Sequence, residues 1–225
     1  MSKTLSILGG VAVMGLLATG GWYASQHSEA SLITAAQAQE ATANKDVETL
    51  PDVVLGQEDA PVTVIEYASY TCPHCAEWHK VEYPQLKKNY IDTGKVKFIQ
   101  REVYFDKFGV WAGLIAQCGG DPKYYAISDM IYNKQKDWIG DGKPQTIADN
   151  LRKIGLQAGL SNDQVTACMN DEKRAERMVA TFQKNAGDDK IDATPTFIID
   201  GEKHSNMAWD DFKKILDDEL AKQAN

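Results

Sequence analysis

No cluster of lysine and arginine occurs anywhere in the chain, and 32 acidic side chains outnumber 24 basic ones, leaving a formal charge of −8. A field of that sign repels phosphate, which excludes a general affinity for nucleic acid or for anionic membrane surfaces. Cysteine is scarce as well, with four in 225 residues, as is histidine, also four. A zinc site needs four ligands in one place. Here Cys72 and Cys75 have only His74 and His79 nearby, while Cys118 and Cys168 stand far along the chain, so no metal is expected. Long apolar runs are missing too, except at the amino end.

That exception, Leu5 to about Ala24, follows a single lysine and carries almost no polar face. It is an export element. Small residues at Ser28 and Ala30, or at Ala36 and Ala38, offer cleavage positions, but the run nearly suffices to span a bilayer, so an uncleaved anchor stays open. Residues up to 46 are rich in Ala, Gln, Ser and Glu and read as a tether with little to bury. The working domain is expected to begin near Val47 to Pro51. Export places the cysteines in an oxidising compartment, where disulfides persist. Four cysteines allow three pairings, and spacing favours Cys72 with Cys75, leaving Cys118 with Cys168.

"APVTVIEYAS" alternates, with Val62, Val64 and Glu66 on one face and Thr63, Ile65 and Tyr67 on the other, which predicts a strand. A helix from Cys72 to about Tyr90, bent or divided at Pro84, and a second strand ending near Phe105 complete a βαβ unit with a parallel pair. From Lys107 to Gly187 the apolar spacing predicts helices only: one ending at "CGGDP", one over "PKYYAISDMIYNKQKDW", one over "PQTIADNLRKIGLQAG", one capped by Ser161 with Gln164, and a fifth or a bent extension through Phe182. "ATPTFIIDGEKHSN" reads as a hairpin turning at "DG", and Trp209 to Leu220 as a closing helix. The order is strand and helix, a helical block, then hairpin and helix.

The chemistry concentrates in "CPHC". Cys72 would stand at the amino end of a helix, where unpaired backbone N–H groups favour a thiolate and lower its pKa from about 8.5. Cys75, nearly one turn in, should be shielded. Pro73 stiffens the first turn without losing a helical bond, and the ring of His74 can donate to the Cys72 thiolate or add positive charge. Stabilising the reduced form makes the disulfide a stronger electron acceptor. A purely structural disulfide across two residues would close too small a loop to gain much. Glu66, among apolar neighbours on its strand face, is expected to have a raised pKa; a solvent-facing glutamate is the alternative. Trp78, His79 and Trp209 read as packing or surface residues.

The stretches "VIEYASYTCPHC" and "TPTFIIDG", with the helical block between them, resemble the DsbA family of periplasmic thiol:disulfide oxidoreductases, in its alphaproteobacterial form, over roughly Val53 to Leu220. The resemblance implies an α/β, thioredoxin-like fold with an inserted α-helical domain: 1–46 signal or anchor plus linker, 47–106 and 188–225 the two parts of the thioredoxin-like domain, 107–187 the insertion. It implies Cys72 as nucleophile, Cys75 as resolving thiol, Thr194 and Pro195 as a cis-proline loop facing substrate, and Glu66 as a buried acid assisting proton transfer. It implies no small-molecule cofactor, unfolded exported proteins with free thiols as substrates, a DsbB-like membrane quinone reductase for reoxidation, a monomer, and a periplasmic location. Some such relatives carry a second disulfide, here Cys118 with Cys168; two buried thiols on their helix stripes are the alternative. An isomerase or reductase, and a peptide-binding chaperone with an incidental disulfide, remain open as rival functions.

Overall fold

The computed structural model describes residues 47–223. The expected export run, its cleavage positions and the tether to residue 46 lie outside the described residues. Five strands form one sheet in the order β1-β3-β2-β4-β5: β1 Val54–Leu55, β2 Val62–Ala68, β3 Val96–Glu102, β4 Thr196–Ile199 and β5 Glu202–Ser205. β2 and β3 are parallel, with Val62 opposite Val96, while the other three pairings are antiparallel. The alternation in β2 sorts its side chains as the sequence predicts. Val62, Val64 and Glu66 enter a core closed by α1 (Pro73–Val81), α2 (Tyr83–Leu86) and α9 (Trp209–Gln223), and Ile65 and Tyr67 face a smaller cluster with Ala186 and Phe182 of α8 (Glu172–Asp188). A strand covered on both faces is what a central parallel strand requires.

Trp78 of α1 lies at the centre of the first core, its ring 4.8 Å from Phe197 and 5.7 Å from Phe212. α1 ends at Val81, and Pro84 is the second residue of the next short helix, which passes into a π-helical turn over Lys87–Ile91. Division near Pro84 follows from its missing N–H and its clash with the preceding turn.

Between the two parts of the sheet stand α3 Lys107–Gln117, α4 Asp121–Asn133, α5 Gln135–Ile139, α6 Pro144–Gln157, α7 Asn162–Met169 and then α8. Their core joins Trp111, Ile115, Ile127, Ile131, Leu151 and Val165, and it runs without interruption to Tyr70 and Cys75. Ser161 and Gln164 form the reciprocal capping box expected of α7, and Asp200 and Gly201, both at positive φ, turn the hairpin.

Two local expectations need correction, and one element was not expected. The second strand stops at Glu102 rather than near Phe105, because Tyr104 turns its hydroxyl onto Glu102 and Asp106 accepts from the Phe108 and Gly109 amides to start α3. The helix expected over "PKYYAISDMIYNKQKDW" breaks at Lys134, where φ is −106° and ψ 18°. The two-residue strand β1 carries too short a pattern to register in sequence and is defined by its pairing with β3.

Cys118 ends α3 and is bonded to Cys168 on α7, across 50 residues of chain. Closing a loop of that length restricts the unfolded chain. Replacing both cysteines with alanine is expected to lower the free energy of unfolding by about 2 to 4 kcal/mol, read by urea unfolding of the double variant against the parent.

Candidate active site

β2 leaves the sheet at Ala68, and a turn brings the chain to Cys72, whose N–H donates to the Ser69 carbonyl at 3.1 Å. Cys72 is the N-cap of α1, with φ −80° and ψ 119°, and Pro73 takes the first helical position. Proline fits there because that N–H would have no helical partner and its fixed φ is already helical. The Cys72 sulfur therefore sits where the amides of the first turn point outward.

The two sulfurs are free and occupy different surroundings: Cys72 is half-buried and Cys75 fully buried. A hydrogen bond from the Cys75 thiol is the largest influence lowering the Cys72 pKa; bonds from the Thr194 side chain and from the Cys75 and His74 amides add to it against the opposing effect of burial. Together they bring Cys72 from 9.0 down to about 5. Burial drives Cys75 strongly upward, reinforced by its bond to Cys72 and by the negative charge of Glu66. One thiol is ionised at neutral pH while its neighbour keeps its proton.

What His74 supplies differs from the expectation drawn from its ring. The side chain is exposed and makes no hydrogen bond among the described residues; its influence on the Cys72 pKa comes through its backbone amide, at the amino end of α1. Across the sulfur lies the loop before β4, where the Thr194–Pro195 peptide bond is cis and the Thr194 carbonyl is 3.5 Å from Cys72 Sγ.

Beneath Cys75, Glu66 is fully buried and its Oε2 lies 2.8 Å from His79 Nε2. The imidazole stacks on Tyr132 with ring centroids 3.9 Å apart. Glu66 Oε1 and His79 Nδ1 have no protein partner, so this pair retains open acceptor and donor positions inside the core. His79 read as packing or surface from sequence alone; its place four residues after Cys75, on the same helix face, is the signal that could have paired it with the acid. A second missed residue, Gln135, donates from its Nε2 to the Tyr70 carbonyl at 2.8 Å and to the Cys72 carbonyl at 2.9 Å. Among the described residues no group of three or more acidic, histidine or cysteine side chains could hold a metal ion.

A family model described as Thioredoxin matches residues 48–218. The chain belongs to the thioredoxin family. Two relatives and a solved structure narrow this to a DsbA-type protein of the alphaproteobacterial kind, a thioredoxin fold with a helical insertion. A protein provisionally named protein-disulfide oxidoreductase, from Rickettsia prowazekii, is 34% identical over 179 residues, covering 77% of this chain and 65% of the relative. The match thus spans somewhat less than two thirds of that relative's length. Disulfide bond formation protein D of Bacillus subtilis is 30% identical over 177 residues, covering 74% of this chain and 76% of the relative. The crystal structure of Wolbachia pipientis alpha-DsbA1 superposes with a TM-score of 0.71 at 29% identity, covering 81% of this chain and 98% of the other.

For this thioredoxin-family site, titrating the reduced protein by thiolate absorbance is expected to show one transition near pH 5, absent from a Cys72→Ser variant. Because the folded pKa lies below the unfolded one, the stability gained from ionisation is present in full above pH 9 and is lost as pH falls through 5. A single transition near 9, or stability of the reduced form that rises on acidification over this range, contradicts the geometry.

Proposed function

We propose that the protein is a protein dithiol:disulfide oxidoreductase that works as an oxidase, passing a Cys72–Cys75 disulfide to other proteins. The observation that carries this reading is a half-buried Cys72 at the amino end of α1, its pKa lowered, beside a fully buried Cys75 whose pKa is raised. A thiol that ionises readily is a good leaving group and is stabilised when reduced, so its disulfide gives itself up easily.

The reaction balances as two exchanges. A substrate thiolate attacks Cys72 Sγ, forming a mixed disulfide and breaking the bond to Cys75, which leaves as a thiolate and takes up a proton. A second substrate thiolate then attacks the substrate sulfur of the mixed disulfide and expels Cys72 as a thiolate. The substrate loses two electrons and two protons, and the enzyme gains the electrons. In this reading Glu66, with His79 beside it, handles the proton of Cys75, which is fully buried. Thr194 and Pro195 present backbone groups to an extended substrate segment, in the manner of an added strand.

The same reading makes Cys118 and Cys168 a structural bond, residues 107–187 the insertion, and 47–106 with 188–225 the two parts of the catalytic domain. It takes unfolded exported proteins with free thiols as substrates, the periplasm as the place of work, a monomer as the working unit, and a DsbB-like membrane quinone reductase as the source of oxidising equivalents. Family membership and the reduced end state of the cycle support these assignments.

Mixing the oxidised protein with a reduced, unfolded polypeptide that carries two cysteines tests the reading. Disulfide formation in the polypeptide, with one enzyme dithiol released per bond, is expected; Cys72→Ser abolishes it, and Glu66→Gln slows it by about 100-fold, a typical contribution of a positioned acid or base. Rescue of a scrambled substrate without oxidation of the reduced one would indicate an isomerase. An unchanged effect of Cys72→Ser on client aggregation would indicate a chaperone, and either outcome overturns the proposal.

A further inference from the structure

Thiol exchange as described leaves Gln135 without a role. This side chain opens α5, is 6% exposed, and spends its amide nitrogen on two main-chain carbonyls, those of Tyr70 and Cys72. The opposite amide orientation would turn its oxygen onto two carbonyl oxygens, so the partners themselves fix which end faces the turn. Among the described residues, Gln135 is the one group between Lys107 and Asp188 that hydrogen-bonds the main chain of residues 69–72.

Its placement follows from the break at Lys134. α4 ends at Asn133, and Trp138 reaches back across the break to donate from Nε1 to the Ile131 carbonyl at 2.9 Å. Trp138 is buried in the same core as Ile131 and Tyr132, and the Tyr132 ring lies 4.9 Å from that of Tyr70. α5 is thereby held with its first residue against the turn. The Cys72 main chain is tied on both sides, its N–H to the Ser69 carbonyl and its own carbonyl to the Ala76 amide at 3.2 Å and to Gln135.

We propose that Gln135 is a positioning residue through which the helical block sets the acidity of Cys72: by anchoring the Tyr70 and Cys72 carbonyls it holds the sulfur at the amino end of α1. The inference rests on the oxidoreductase reading for its significance. Two effects act in the same direction. Losing the anchor leaves the Tyr70 carbonyl without a donor and the Cys72 carbonyl with the Ala76 amide alone, in a largely buried turn that then shifts to satisfy them. It also removes a donor hydrogen that offsets the partial negative charge of the carbonyl belonging to the reacting cysteine itself, and a more negative surrounding disfavours a thiolate.

The test titrates Cys72 by thiolate absorbance in the reduced full-length parent, Gln135→Leu and Gln135→Glu, with thermal unfolding of the same samples. Gln135→Leu is expected to raise the midpoint by about one pH unit, a tenfold loss of acidity. Gln135→Glu, nearly the same shape, directs a carboxylate at the two carbonyls and is expected to raise it further. Should the leucine variant fail to fold, the glutamate variant carries the test alone. A midpoint unchanged in the folded variants, whatever their thermal stability, overturns the inference, because a merely structural role lowers stability without moving the titration. The parent's own midpoint judges the oxidase reading; the difference between parent and variants judges Gln135.

Discussion

The structure depends on one electrostatic arrangement, a sulfur placed where the first amides of a helix have no other partner. Everything near it serves that placement. β2 delivers the chain to the turn, Pro73 starts α1 at the next residue, and Trp78 anchors the helix from below against Phe197 and Phe212. Were α1 to begin one residue earlier, Cys72 would no longer be the N-cap, the position whose side chain faces the unpaired amides of the first turn.

Asymmetry between the two sulfurs follows from burial. Cys75 lies in a core continuous with the helical block and pays the full cost of desolvation if charged, while Cys72 stays half-buried at the amino end of α1. Glu66 and His79 add a polar pair beneath the buried sulfur that apolar packing alone would not retain, since each leaves an atom unpartnered. Unsatisfied buried groups are costly, and under the proposed exchange these are the polar groups that would carry the proton of Cys75. A second polar cluster, in which Glu102 accepts from Tyr70, Tyr104, Tyr124 and Gln117, is fully paired and ties β3 to the helices.

Much of this was legible in the sequence where the determinants are local. The alternation of β2, the capping box at Ser161, the Asp200–Gly201 turn and the strand-to-CPHC junction each follow from a few adjacent residues. What escaped depends on contacts between distant segments. β1 exists because β3 offers it an edge. The break at Lys134 is enforced by tertiary packing of Trp138 rather than by a proline or glycine. Gln135 and His79 acquire meaning only from the Tyr70 and Cys72 carbonyls and from Glu66, 13 to 65 residues away in sequence. For His74 the residue was identified but not the group, because an amide at a helix end carries no signature of the side chain attached to it.

A thermodynamic cycle joins these points: if the folded protein favours the dithiol more than the unfolded chain does, the disulfide must destabilise the fold. The direct measurement is urea unfolding of the oxidised and reduced forms at pH 7. A higher midpoint for the reduced protein is what a stabilised Cys72 thiolate requires; a higher midpoint for the form carrying the Cys72–Cys75 disulfide would contradict the account.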